Sequence, residues 1–230
     1  MTRPSLPDRP DQSQFIQHIG KLRIQLNGIQ SQMMPEALAE RTGTQFVVET
    51  GNSGKYIFEI LEQEVCLVYP EWVVKDSLSN KDLPPTTQAL VLFYFITADG
   101  TSPDGRWISF SNLPDGRFYN PAYQGYTGGE LAKNFQNDLE AFGKAARQLG
   151  GVNWATMPEV PGDVAYRFQT LPRLAVLSIC WEGDEDFPTS YRILFESTAS
   201  HYLPTDVCAY LGSFLTRSLV KAKPADPTSN

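Results

Sequence analysis

The part of the sequence that most constrains the fold is residues 174–181, Leu-Ala-Val-Leu-Ser-Ile-Cys-Trp, which are almost continuously apolar. Such a run is typical of a strand that is buried on both faces, because a strand with one solvated face alternates apolar and polar residues. We therefore predict that it lies at the centre of a sheet. The segments 165–170 and 191–196 contain strand-forming residues and are predicted to be strands as well.

An amphipathic helix is predicted near the N-terminus. Between Phe15 and Met33, apolar residues recur at spacings of four and three, which places them in one stripe on a helix of roughly five turns. This stripe must be covered by the rest of the domain, by a second copy of the chain or by a protein partner. A second, short helix is predicted from Pro35 to Gly43, because proline suits a first helical turn and glycine suits a helix end.

The middle of the chain combines strands and helices. Residues 44–69 alternate between strand-forming runs and turn residues, which predicts an antiparallel meander. Residues 86–98 and 129–149 are predicted helices, and a last helix is predicted to begin at Pro204. Residues 100–128 contain many glycines, prolines and aromatic residues without a clear period. They predict a long loop, a feature that is often functional.

Together these elements predict an α+β fold. It would contain a mixed or mainly antiparallel sheet of five or six strands, helices packed on that sheet, and an N-terminal helical arm. The expected organisation is a disordered tail at 1–12, an amphipathic arm helix at 13–34, a single α+β domain at 35–220 and a disordered tail at 221–230.

Charge and composition argue against several classes of function. The formal net charge is -7 and the pI is about 4.9, so the chain repels phosphate backbones and nucleic acid is not an expected partner. No segment reaches the ~18 consecutive apolar residues of a membrane span, and the polar N-terminus has no signal-peptide pattern. The three cysteines are scattered and form no CxxC pair. We therefore expect a soluble, cytoplasmic protein without a membrane partner.

A dense acidic segment follows the predicted central strand. Glu182, Asp184, Glu185 and Asp186 lie within five positions. Clustered carboxylates can hold a hard cation or supply a general base, and for the second role Asp184 and Glu185 are the catalytic candidates. The competing interpretation is a solvated turn whose aspartate side chains bond the local backbone.

An arginine is expected to compensate this acidic segment. Four carboxylates in so short a stretch repel one another, and a nearby cation would keep several of them ionised. We predict a tight turn at Gly183–Asp184, with Arg173 or Arg192 within ion-pair distance of one carboxylate. Arg173 could equally clamp the carboxylate or phosphate of a ligand.

Aromatic side chains concentrate in the predicted long loop. Arg106, Trp107, Tyr119 and Tyr126 are interleaved with glycines, which suits a lid that stacks on a planar ligand. The alternative is that these side chains pack the loop onto the sheet. His201, one of two histidines, is a candidate ligand for a metal or haem, although a histidine without a matched second ligand is more often structural.

The standard templates for catalysis and cofactor binding do not occur. The chain has no G-x-S-x-G nucleophile elbow, no P-loop and no G-x-G-x-x-G dinucleotide fingerprint. The sequence therefore indicates no particular cofactor.

Several segments together resemble a known family. They are 171–174 (Leu-Pro-Arg-Leu), 181–188 (Trp-Glu-Gly-Asp-Glu-Asp-Phe-Pro), 193–197 (Ile-Leu-Phe-Glu-Ser), 201–206 (His-Tyr-Leu-Pro-Thr-Asp), 105–110, 113–116, Tyr119 and the Gly125-Tyr126 pair. Over roughly residues 35–220 the chain resembles a bacterial and archaeal domain of unknown function, the one numbered three thousand seven hundred eighty-six. The resemblance implies no reaction. Relatives with a cysteine-rich iron–sulfur segment, in anaerobes, imply a link to redox or corrinoid metabolism, but this chain lacks that segment.

The leading hypothesis is a non-enzymatic domain that binds a small molecule or cofactor, in a pocket between the aromatic loop and the acidic turn. Its ligand-binding residues would be Arg106, Trp107, Tyr119, Tyr126, Arg173, Trp181, Asp184, Glu185 and Phe187. One alternative is an enzyme with a carboxylate of the acidic turn as general base and an arginine as anion clamp. Another is a protein-interaction module that docks through the N-terminal helix.

Overall fold

The computed structural model describes residues 12–155, 157, 160 and 162–225. Within these residues the chain forms seven α-helices and nine strands. The helices are α1 Gln12–Gln30, α2 Pro35–Thr42, α3 Pro85–Thr97, α4 Gly116–Tyr126, α5 Gly128–Phe135, α6 Leu139–Gln148 and α7 Thr205–Lys221. The strands are β1 Gln45–Val48, β2 Gly54–Ile60, β3 Gln63–Tyr69, β4 Val73–Asp76, β5 Trp107–Ser109, β6 Val152–Asn153, β7 Val164–Leu171, β8 Leu174–Trp181 and β9 Ser190–Glu196.

The strands form two antiparallel sheets, which confirms the predicted α+β class and antiparallel pairing. The first sheet has the order β1-β2-β3-β4 and the second has the order β5-β9-β8-β7-β6. The sequence pointed to one sheet of five or six strands. The difference arises because the meander forms a sheet of its own, which is completed by β4, a four-residue strand too short to show a period in the sequence.

The first sheet packs one face against helices. Side chains that alternate along β2 are buried, among them Tyr56 and Phe58, while Glu59 between the buried positions is exposed. This period of two is the expected pattern for a sheet covered on one face. Helix α3 lies on that face and buries most of its own residues, so the helix predicted for this apolar run is confirmed.

Helix α1 confirms the predicted N-terminal helix, and part of its stripe is core. Ile19, Leu22 and Leu26 are buried. The Tyr56 hydroxyl donates a 2.6 Å hydrogen bond to the Gln30 side chain, which ties the end of α1 to the first sheet. The stripe is thus covered at these positions by the chain itself.

Strand β8 lies at the centre of the second sheet, between β7 and β9, as its composition predicted. Every residue of β8 except Trp181 is buried. One face joins the main apolar cluster through Val176, and the opposite face packs in a smaller cluster around Leu177 and Ile179.

One apolar cluster includes residues from both sheets and all seven helices. We therefore propose that residues 35–220 form a single domain on which the arm helix packs. The disordered tails were predicted at 1–12 and 221–230. Residues 1–11 of the first and 226–230 of the second lie outside the described part of the chain. Helix α7 continues to Lys221.

The predicted loop at 100–128 is wrong in part, because it contains β5, a 3-10 turn at Phe110–Asn112 and helix α4. Pro121 lies inside α4, and glycines lie near both ends of this helix. Because proline and glycine are unfavourable within helices, the sequence did not predict α4. The single helix predicted at 129–149 is also wrong. It is divided into α5 and α6 at Gln136, which has a φ of 49°, and Asp138 then caps α6 by accepting from the Ala141 N–H.

Candidate functional site

The structure places the sequence-predicted site residues in three separate regions. The acidic turn and the aromatic residues beside it follow β8, two tyrosines of α4 line a pocket, and a polar group lies where β8 begins. In that order the regions contain Trp181, Asp184, Glu185 and Phe187, then Tyr119 and Tyr126, and then Arg106, Arg173 and His201. Trp107, the first residue of β5, packs against the smaller apolar cluster around Leu177 and Ile179.

The acidic segment forms a tight turn that is held by the side chain of Asp184. Asp184 donates its N–H to the Phe187 carbonyl, at 2.9 Å. Its Oδ1 atom accepts from the backbone N–H groups of Asp186 and Phe187, at 2.9 and 2.8 Å. The turn thus spans 184–187, one residue later than predicted. The local backbone bonding is that of a solvated aspartate turn.

The predicted ion pair at this turn is wrong. Arg173 precedes β8 and the acidic turn follows it, so a strand of eight residues, roughly 25 Å, separates them. Arg173 donates instead to the Glu40 carbonyl, and Arg192 lies over the ring of Trp181, 5.5 Å from its centroid. The carboxylates of Asp184, Glu185 and Asp186 are exposed, and water and salt screen their repulsion.

A wide pocket lies between α4 and the start of α7. Its volume is about 670 Å³, and it is lined by Phe110, Pro114, Asp115, Tyr119, Tyr126, Ser200, Leu203, Pro204, Thr205, Asp206 and Ala209. A 2.6 Å hydrogen bond from the Thr205 hydroxyl to the Pro114 carbonyl joins its two walls. Beneath the pocket, the rings of Phe110 and Tyr123 stack with centroids 4.1 Å apart. Two segments distant in sequence therefore build one cleft.

The pocket is apolar and aromatic, with acidic and hydroxyl groups added. Tyr119 and Tyr126 are 68% and 41% exposed, although burial still raises the pKa of the Tyr126 phenol. Asp115 and Asp206 contribute carboxylates, and neither lysine nor arginine is among the described lining residues. The two predicted tyrosines thus share a wall, but the opposite wall is the 200–209 segment and not the acidic turn.

The third region is polar and lies at the end of the second sheet where β8 begins and β9 ends. His201 Nδ1 lies 2.6 Å from Asp99 Oδ2, and this hydrogen bond holds the pKa of Asp99 at about 2. The Ser197 hydroxyl donates to Asp104, and the Arg106 guanidinium pairs with the same carboxylate at 2.6 Å. Ser197, followed by Arg106, holds the pKa of Asp104 at about 2.

This region, which we call the polar cluster, contains most of the buried polar atoms that lack a partner. In the described part of the chain, seven buried side-chain nitrogen or oxygen atoms have no hydrogen-bond partner. Four of them belong to Arg41, Arg173, Glu196 and Thr198. Native proteins leave few such atoms, so each of these four needs a local explanation.

Glu196 is the buried acid of the polar cluster. It is 4% exposed, its Oε1 atom accepts from the Gly105 N–H at 3.1 Å, and burial raises the pKa of its carboxyl. Because the folded pKa is raised, this group's contribution to stability is fully present below its ordinary value of 4.5 and is lost as the pH rises through the folded pKa.

We expect Glu196→Gln to remove this dependence, because the amide keeps an acceptor for Gly105 and has no charge to bury. Urea unfolding between pH 4 and 8 should show that the variant gains stability relative to wild type as the pH rises. The exposed Glu185→Gln is the matched control. Parallel pH curves for Glu196→Gln and wild type would contradict the assignment.

Neither the cysteines nor His201 provides a metal centre in the structure. Cys66, Cys180 and Cys208 are buried free thiols in separate elements, and burial raises the pKa of each. Among residues 12–155, 157, 160 and 162–225, no group of three or more histidine, cysteine or acidic residues is placed to hold a metal ion. The candidate ligand His201 is engaged by Asp99.

Several residues of the pocket and the polar cluster were not predicted as site residues from the sequence. Asp115, Leu203 and Asp206 lie in segments that carry the family resemblance, which was a signal, but nothing in the sequence indicated that those segments meet. Arg41 had no sequence signal, because an arginine in the last turn of a helix is ordinary.

Fold and site define an α+β domain with two antiparallel sheets, an aromatic pocket and a polar cluster at one sheet end. The model of the family described as "Domain of unknown function (DUF3786)" matches residues 34–218, and the chain belongs to this family, as the resemblance predicted. No curated protein and no solved structure matches the chain. Of the described helices, none combines the length and apolar character that a membrane crossing requires.

Proposed function

We propose that the chain is a domain that binds a small molecule in the pocket between α4 and the start of α7. The observation that carries this proposal is the pocket's size together with its lining. A volume of about 670 Å³ falls in the usual range for small-molecule sites, roughly 300–1,000 Å³. Such sites combine apolar and aromatic walls with a few polar groups that orient the ligand, as this one does.

The lining favours a neutral or cationic ligand with a planar apolar part. Phe110, Tyr119 and Tyr126 offer ring faces and edges for stacking. Asp115 and Asp206 would attract an ammonium or a hydrogen-bond donor, and no described lining residue would balance an anion. An anionic ligand would therefore meet uncompensated repulsion.

The proposed cellular location and metabolic role have their own support. Three buried free thiols suit a reducing compartment, so we propose a cytoplasmic location. The link to anaerobic redox or corrinoid metabolism comes from the family resemblance alone. An absorbance spectrum of the purified protein tests it: bands of a corrinoid, flavin or cluster would support the link, and a colourless protein would count against a tightly bound cofactor.

The structure bears differently on the two alternatives, an enzyme and a protein-interaction module. An enzyme that combined a base in the acidic turn with Arg173 as anion clamp would need groups from opposite ends of β8. An interaction role for α1 keeps one supporting observation, since Ile16 and Ile24 are 57% and 75% exposed. A second copy or a protein partner that docks on α1 would cover these two side chains.

A titration with matched probes tests the proposed pocket. Tyramine and 4-hydroxyphenylacetate share a phenol ring and differ in the sign of their charge. With ¹⁵N-labelled protein, tyramine should shift amide signals of residues 119–126 and 203–209. It should bind at least about tenfold more tightly than the acid, equivalent to about 1.4 kcal/mol.

An Asp206→Asn variant should reduce this preference, because it removes one of the two carboxylates of the pocket. Asp184→Asn, in the exposed acidic turn, is the matched control and should leave the preference unchanged. Equal affinities of both probes for the wild-type pocket, each read from the amide signals of residues 119–126 and 203–209, or shifts confined to other regions, would refute the proposal.

A further inference from the structure

A notch of about 250 Å³ lies between the end of α2 and the turn that joins β7 to β8. Its lining residues are Ala37, Glu40, Arg41, Asp99, Gly100 and Arg173. It is separate from the aromatic pocket, with which it shares no described lining residue. The notch belongs to the polar cluster and brings two arginines to one small space.

The backbone around Arg173 fixes its position. The Arg173 N–H donates to the Tyr94 hydroxyl at 3.1 Å, and its Nη2 donates to the Glu40 carbonyl at 2.9 Å. The side chain lies against Gly43, where a Cβ would come within 2.9 Å of the Arg173 Cγ. Gly43 also has a φ of 68°, so glycine is favoured there for two reasons. The guanidinium is therefore placed before any ligand arrives.

Arg41 reaches the notch from the last turn of α2. Its aliphatic part packs against Gly100, where a Cβ would lie 3.4 Å from the Arg41 Cγ. Gly100 has a φ of 87° and lies in the connection between α3 and β5. The two arginines thus approach the same space from different elements, each beside a glycine with a left-handed backbone.

Neither arginine of the notch is paired with a carboxylate among the described residues. Neither Arg41 nor Arg173 forms a salt bridge within 4.0 Å, and the Nε atom of each is buried without a hydrogen-bond partner. Asp99 lines the notch but is engaged by His201, and Glu40 contacts Arg173 through its carbonyl. Buried donors of charged groups are costly to leave unpaired.

We propose that this notch binds an oxyanion, the carboxylate or phosphate group of a small molecule, between Arg41 and Arg173. Guanidinium groups bind such anions through paired, charge-assisted hydrogen bonds, and two of them surrounding one anion would supply the missing partners. The proposal does not depend on the aromatic pocket, whose lining favours a neutral or cationic ligand.

Thermal shift and calorimetry with orthophosphate and with acetate, at constant ionic strength, test the notch and distinguish the two sources of the anion. Wild type should bind at least one of them saturably, whereas Arg41→Gln and Arg173→Lys should bind it at least about tenfold more weakly. Arg192→Gln is the control, because Arg192 is exposed and lies over Trp181 on another part of the sheet.

Arg41→Gln keeps the test decisive if Arg173→Lys disturbs the β7–β8 turn, because the Arg41 side chain makes no hydrogen bond within the described chain that the substitution would remove. In wild type, the bound anion should shift the amide signals of Gly100 and Arg173. No saturable binding of either anion, or equal binding by wild type and Arg41→Gln, would overturn the proposal.

Discussion

The Leu26→Ala substitution is expected to lower the free energy of unfolding by roughly 2–5 kcal/mol, the range for truncating a fully buried leucine. Leu26 is fully buried on α1 and belongs to the main apolar cluster. The substitution removes buried methyl groups and leaves a cavity that the helix and the first sheet cannot readily close. Urea unfolding followed by circular dichroism measures the effect.

Ile24→Ala is the matched control on the same helix. Ile24 is 75% exposed, so the change should stay within about 0.5 kcal/mol of wild type. If Leu26→Ala lowered the free energy of unfolding as little as Ile24→Ala, α1 would not be part of the core. The solution mass of Ile24→Ala tests the interaction role as well, because a dimer held through this face should weaken.

Gly128→Ala is expected to destabilise the protein by about 3 kcal/mol or more, at the upper end of the overpacking range. A Cβ at the first residue of α5 would overlap the backbone carbonyl of Tyr191 on β9, closer than 3.0 Å. A backbone atom in a central part of the sheet cannot move aside as a flexible side chain can. Helix α5 would have to shift, and with it the end of α4 that carries Tyr126.

Gly125→Ala provides the comparison for this effect. Gly125 lies in α4, and a Cβ there would meet nothing within 4 Å. Alanine should stabilise that helix by up to about 1 kcal/mol, since it loses less backbone entropy than glycine on folding. If thermal unfolding shows Gly128→Ala to be as stable as Gly125→Ala, the close packing of α5 on β9 is wrong.

The elements with a strong local pattern could be predicted from the sequence. The stripe of α1, the continuous apolar run of β8 and the alternating residues of β2 each form one local pattern over a sufficient length. Pro35 and Gly43 similarly bounded α2. In each case the residues that determine the structure are neighbours in the sequence.

What could not be predicted depends on contacts between distant segments. The break at Gln136 leaves the apolar spacing of α5 and α6 almost continuous, so the sequence predicts one helix where there are two. The pairing of an arginine with the acidic turn required knowledge of which end of β8 each group occupies. The aromatic pocket likewise depends on the meeting of Pro114 with Thr205, 91 positions apart.

The central claim is that the pocket between α4 and α7 is the ligand site, and plugging it tests this claim most directly. Ala209 lines the pocket from α7, so Ala209→Trp would place a large ring in the space that a ligand occupies. Phe118→Ala, at a 95% exposed position of α4 outside the pocket lining, is the control. Calorimetric titration with tyramine should show binding to wild type and Phe118→Ala, and at least about tenfold weaker binding to Ala209→Trp. Unchanged binding by a folded Ala209→Trp variant would contradict the account.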